Sequence, residues 1–278
     1  MKRIKAIWSG AVAAILLSSI ASGAIFPGTG TGAIPDSLQE GPANYGTPLI
    51  VSFDVNGLTG NIQDISVSIT MNHPYIGDLD VFLTSPPSAG GNSFTLFSRV
   101  GALSFYGHYS YAPLNGTYQF SDSAAWNLWN ASADAENYYW ISNSLIPLSS
   151  GAYRTSRPGG DALGGTLTTF HMDSGFIGLT PSQANGTWTL TLRDGATADS
   201  GFVTAAALTI AVPVRGAALV EQLVPCPGPR SGGHWKNHGQ YVSAIGNVVG
   251  ELLSEGAITE QEAEDIVEAA VKSDCGKK

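Results

Sequence analysis

Between positions 65 and 71 the chain alternates strictly. Ile65, Val67, Ile69 and Met71 take the odd positions, and Ser66, Ser68 and Thr70 the even ones. Successive side chains of an extended strand point to opposite faces, so this pattern buries one face and wets the other, which a helix cannot do. The same period returns at Leu79, Val81 and Leu83, and at Trp188, Leu190 and Leu192 against Thr187, Thr189 and Thr191. Val203 to Val212 is a further apolar run, rich in alanine and ended by Pro213. Asn-Gly pairs at 56–57, 115–116 and 185–186 offer the left-handed conformations that tight turns need. Short strands at irregular intervals, with no helix-length periodicity between them, predict an all-β unit built as an antiparallel β-sandwich.

Charge divides the chain. No lysine stands between Lys5 and Lys236, and from Ile25 to Val220 the only bases are Arg99, Arg154, Arg157, Arg193 and Arg215. Beyond Val220 the texture changes to Glu, Ala, Val and Ile at helical spacing. The boundary falls near Val214–Leu223, ahead of Pro225-Cys226-Pro227-Gly228-Pro229, whose prolines forbid regular structure. Asn237 with Gln240, followed by Val242, Ile245, Val249 and Leu252 up to Gly256, predicts one helix. Thr259 and Glu262 form a capping box for a second, with Ala263, Ile266, Val267 and Ala270 on its buried face. Cys226 and Cys275 bracket this helical hairpin and read as a disulfide in an exported chain. His234 and His238 would complete a Cys₂His₂ zinc set, against which Gly232, Gly233 and Gly239 argue by interrupting a helix.

Export itself is read from the N-terminus. Lys2, Arg3 and Lys5 precede an apolar run to Ile20, and the small residues Ala21, Ser22, Gly23 and Ala24 follow, the layout of a signal peptide cleaved after Ala24. The formal net charge is −9, and loss of three bases with the signal leaves 10 Lys+Arg against 22 Asp+Glu. A chain that acidic is not built to bind nucleic acid or an anionic membrane through charge. No later segment is apolar enough to span a bilayer.

The string from Ile65 through His73-Pro-Tyr75-Ile-Gly77-Asp78-Leu79 to Leu83-Thr-Ser85-Pro86 resembles the opening of the P domain, also called P/Homo B. The likeness continues in Phe120-Ser-Asp122-Ser-Ala124, in Gly151-Ala-Tyr153-Arg-Thr-Ser-Arg157-Pro158, and in Asn185-Gly186-Thr187-Trp188-Thr-Leu190-Thr-Leu192-Arg-Asp194, and it closes with Asp199-Ser-Gly201. Ile34-Pro35-Asp36 suits the start of such a domain. That module follows the catalytic domain in kexin- and furin-like proprotein convertases and in many bacterial subtilisin-like proteases. The resemblance implies a jelly-roll, galactose-binding-like sandwich over 33–213. The domain plan is then signal peptide 1–24, linker 25–32, sandwich 33–213, Pro-rich linker 214–230 and disulfide-closed hairpin 231–278. The chain departs from the protease pattern because nothing matches a Gly-Thr-Ser-Met-Ala nucleophile motif and no room remains for a catalytic domain. The chain therefore reads as no enzyme.

The expected role is a structural or binding one, secreted or at the cell surface. Alternatives are an accessory or targeting module acting on a subtilisin-like protease, and a carbohydrate-binding jelly roll. Partners would then be such a protease, a surface protein or a polysaccharide, with no nucleic acid. Asp78 reads either as a cap on turn amides or as a ligand-contacting group beside His73 and Tyr75. Asp194 and Asp199, in Asp-Gly-Ala-Thr-Ala-Asp-Ser-Gly, are turn formers or, with Asp78, oxygen ligands for Ca²⁺, the one cofactor the resemblance allows. The aromatic stretch from Trp126 and Trp129 to Tyr138-Tyr139-Trp140 is either a sugar-stacking surface or an insertion packed on the sandwich.

Overall fold

The computed structural model describes residues 21–39, 44–101, 110–155 and 172–277. The charged and apolar parts of the expected signal (Lys2 to Ile20), like Arg157 and Pro158, lie outside the described residues. Chain contacts separate a unit Ala21–Pro213 from a second that begins at Val214.

The first unit is mostly β. Its strands are β1 (Ala21–Thr29), β2 (Ala33–Ile34), β3 (Leu49–Val55), β4 (Asp64–His73), β5 (Leu79–Thr84), β6 (Ser93–Ser98), β7 (Leu114–Phe120), β8 (Trp126–Asn127), β9 (Gly151–Arg154), β10 (Gly186–Asp194) and β11 (Gly201–Pro213). Hydrogen bonding links them in the order β6-β5-β10-β3-β1-β11-β4-β7-β9-β8, with β2 also on β11. Most pairs are antiparallel, but β9 runs parallel to β7 and β8, so the sheet is mixed. β1 joins the two halves, pairing with β11 through Ala21–Pro27 and with β3 at Gly28 and Thr29. The path curls back on itself, because Phe97 of β6 stacks on Phe120 of β7 with ring centroids 5.3 Å apart.

The alternating residues read from sequence fill the interior. Ile65, Val67, Ile69 and Met71 of β4 share one core with Leu79, Val81 and Leu83 of β5 and with Trp188, Leu190 and Leu192 of β10. Each such side chain contributes roughly 1.5–3 kcal/mol by leaving water.

Three expectations need correction here. Residues 25–32 are not a linker throughout, since 25–29 belong to β1. Ala24, the expected cleavage point, pairs with Ile210 within that strand. A chain starting at Ile25 would retain only the pairs from Ile25↔Thr209 to Pro27↔Ala207 with β11. The unit is not all strand, because helix α1 (Leu128–Ser142) is inserted between β8 and β9. Short turns α2 (Asp173–Phe176) and α3 (Pro181–Ala184) precede β10. Asn115-Gly116 is no turn but lies within β7, opposite Asn72 and Met71. A Cβ at Gly116 would come within 2.1 Å of Ser150 Oγ, which accounts for the glycine.

The second unit holds three helices rather than a hairpin: α4 (Gly216–Leu223), α5 (His238–Ser254) and α6 (Glu260–Lys272). α4 lies inside the stretch 214–230 read as a linker, and its Leu219 and Val220 join Trp235, Ile245, Val249, Leu252 and Ile266 in a separate small core. Both capping residues act as read. Asn237 accepts from the Gln240 N–H, and Thr259 and Glu262 form a reciprocal capping box. Cys226 and Cys275 are joined in a disulfide that ties the segment before α5 to the segment after α6.

Candidate functional site

The polar residues of the His-x-Tyr-x-Gly-Asp-Leu string meet those of the Asp194 loop at one place in the β unit. β4 ends on His73 and β10 ends on Asp194, and both side chains are fully shielded from solvent. His73 Nε2–H donates to Asp194 Oδ2 at 2.9 Å, and Asp194 Oδ1 accepts from the Ala196 N–H at 3.1 Å. The other ring nitrogen, Nδ1, lies 2.9 Å from the Tyr75 carbonyl and 3.2 Å from the Tyr75 N–H. Neutral imidazole accepts from that N–H and imidazolium donates to that carbonyl, so the ring is satisfied in either state. Gly201 passes so close that a Cβ there would lie 2.5 Å from His73 Cδ2 and 2.4 Å from the Asn72 carbonyl. This close approach explains the glycine of Asp199-Ser-Gly201.

Asp78 sits in a 3₁₀ turn, Ile76–Asp78, and is buried. It does not cap turn amides as one reading of the sequence held. Its Oδ2 is buried without a partner, while its main chain does the bonding: the N–H donates to Tyr75 O and the carbonyl accepts from Gly195 N–H. Burial pushes its carboxyl up to about 7, with His73 pulling the other way. Asp194 does the capping instead. Burial also raises Asp199, again opposed by His73.

Asp78, Asp194 and Asp199 therefore lie within electrostatic reach of His73 and of one another, but they do not fit the Ca²⁺ site expected of them. Each Asp194 oxygen already accepts from a protein donor, Oδ2 from the imidazole and Oδ1 from the Ala196 N–H. Among the described residues no group of three His, Cys, Asp or Glu side chains is arranged to hold a metal.

A second polar group was not legible in sequence. Arg193 of β10 donates to Asp80 of β5 at 3.1 Å, and Ser98 donates to the same carboxylate. The guanidinium also lies over the rings of Tyr45 and Phe82, at 4.2 and 4.7 Å from their centroids. Burial, with Asp80 beside it, pushes the Tyr45 hydroxyl up to about 12. The β5–β10 register puts Arg193 directly opposite Asp80. A cross-strand pairing of the two runs could have suggested this, but neither run alone does.

An open feature among the described residues of the β unit is a cavity of about 560 Å³ between α1 and β8–β9, lined among others by Trp126, Asn130, Asp134, Tyr138, Ile146 and Arg154. The rings of the aromatic stretch differ in exposure. Trp129 is buried on the core side of α1, whereas Trp126 is 54% and Trp140 74% exposed. Asn127 fixes the helix start, its Oδ1 accepting from the Trp129 and Asn130 N–H groups at 2.9 and 3.2 Å.

In the helical unit, His238 has the carbonyls of Cys275 and Val271 at 2.8 and 3.1 Å, and His234 Nδ1 lies 3.2 Å from Pro227 O. With both sulfurs in the disulfide, no thiolate remains for zinc, which overturns the Cys₂His₂ alternative. Among the described histidines, 73, 234 and 238, none bonds a serine hydroxyl.

No family model matches the chain, and no curated protein matches it. Among solved structures, a chain of the Aeromonas sobria serine protease (ASP)–chaperone (ORF2) complex superposes with a TM-score of 0.35 at 11% identity, over 70% of this chain and 26% of that one. The crystal structure of the serine protease of Aeromonas sobria gives a TM-score of 0.34 at 12% identity, over 69% of this chain and 26% of that one. The match thus spans about a quarter of the length of those chains.

Proposed function

We propose that this chain is an exported, non-catalytic binding module, a jelly-roll sandwich of the P/Homo B kind followed by a disulfide-closed helical unit. The observation that carries the reading is the saturation of the His73–Asp194 pair. Every polar atom of both side chains already faces a protein partner inside the core, and among the described residues no hydroxyl bonds the ring. General-base catalysis needs an imidazole nitrogen within reach of the proton it removes. A clamp of this kind holds the ends of β4 and β10 together and does no chemistry.

The sandwich reading is supported by β1, which pairs with β11 on one side and β3 on the other, and by the Phe97–Phe120 contact between distant strands of the path. Export is supported by the disulfide, a bond of oxidising compartments. Among the described residues no helix is long and apolar enough to cross a membrane. Binding then falls to the open groove beside α1. Purified chain incubated with casein and with a dibasic peptide should release no product above buffer. Hydrolysis that survives purification and is lost in His73→Gln would sink the reading.

A further inference from the structure

We propose that the groove between α1 and β9 is a saccharide site that takes a neutral pyranose ring against Trp126. The proposal rests on the binding-module reading above and names the ligand class of its groove. Trp126 is a fixed platform. Its six-membered ring lies along β9 where Gly151 has no side chain, a Cβ there coming within 3.1 Å of Cζ3, and Tyr153 packs at 5.8 Å between ring centroids. More than half of the residue remains open to solvent. An indole held on one side and exposed on the other matches the apolar C–H face of a pyranose.

The hydrogen-bonding wall is supplied by α1. Asn130, Asp134 and Tyr138 follow at intervals of four, so all three stand on the face that lines the cavity. Arg154 closes the other side, and its Nε is buried without a partner. Among the described residues the side chains of Asn130, Asp134 and Arg154 make no hydrogen bond or ion pair. A carboxylate that only accepts, a guanidinium that only donates and an amide that does both are together the complement of adjacent sugar hydroxyls, each both donor and acceptor. The cavity volume, about 560 Å³, falls inside the range of roughly 300–1,000 Å³ usual for small-ligand sites. Other occupants fit less well. A polyanion would meet Asp134 on a chain of net charge −9, and a wholly apolar segment would strand the three polar side chains without water.

Native gels containing hydroxyethylcellulose, xylan or laminarin test the site with the full chain. At least one polysaccharide should slow the protein. Trp126→Ala and Asp134→Ala should each weaken that retardation at least tenfold, Trp126→Phe should keep most of it, and Trp140→Ala, outside the groove, should leave it unchanged. Asp134→Ala and Arg154→Gln, which remove no packed ring, carry the test if Trp126→Ala does not fold. Unaltered mobility in all three gels overturns the proposal, as does retardation that survives both Trp126→Ala and Asp134→Ala. Neither result touches the non-catalytic reading, which fails only on hydrolysis.

Discussion

A carboxyl buried with one oxygen unpartnered is held more comfortably with its proton than without it, and Asp78 is in that position. With its folded value pushed up to about 7, the native state keeps a proton that the unfolded chain gives up near pH 4. The native state therefore binds more protons across that window, and stability falls as pH rises from about 4 toward 7, by up to roughly 4 kcal/mol. Asp78→Asn removes the ionisation. Its melting temperature should match the wild type near pH 4 and exceed it increasingly toward pH 8, as followed by circular dichroism. A difference that is constant with pH would show that Asp78 is not titrating. The motif that held this residue was visible in sequence, but its role was not, since Asp78 and Asp194 are equally acidic as letters. Which one accepts turn amides is decided by a contact between His73 and Asp194 that spans 121 positions.

At the scale of elements, legibility followed periodicity. β4, β5 and β10 each place apolar side chains at every second position, and those side chains are buried in the core. α1 gave no such signal because its buried face is Leu128, Trp129, Ser132 and Ala135, in which a hydroxyl and a methyl stand where bulky apolar residues would mark a stripe. Its exposed face carries Tyr138, Trp140 and Ile141 instead, so the usual contrast between faces is erased. The signal left unread was Asn127, whose side chain satisfies two first-turn amides. Asn127→Ala should cost about 1 kcal/mol in urea unfolding. The loss should be largely recovered by Asn127→Ser or Asn127→Asp, which restore the acceptor, whereas a loss shared equally by all three would assign Asn127 to packing. α4 was missed for a different reason. It has only eight residues, and the Pro225–Pro229 run beside it drew the whole stretch into a linker.

At the scale of the molecule, the two units have separate cores and only the helical one contains cysteine. Three short helices around a small core need a staple, and a disulfide closing 49 positions is worth about 4 kcal/mol in the chain-entropy model. Reduction should expose the chain from Val214 onward to proteolysis while the β unit keeps its melting transition. Loss of both together would show that the units unfold as one.

A non-catalytic β unit requires the buried His73–Asp194 pair to be a clamp rather than a site. Melting scans of wild type and Asp194→Ala, each in calcium and in chelator, test that most directly. The clamp predicts that the substitution strands His73 and lowers the transition of the β unit by about 10 °C or more. It predicts the same drop in both media, with wild type indifferent to calcium. A wild-type transition that rises in calcium, and a variant that differs only by losing that rise, would make Asp194 a metal ligand and contradict the account.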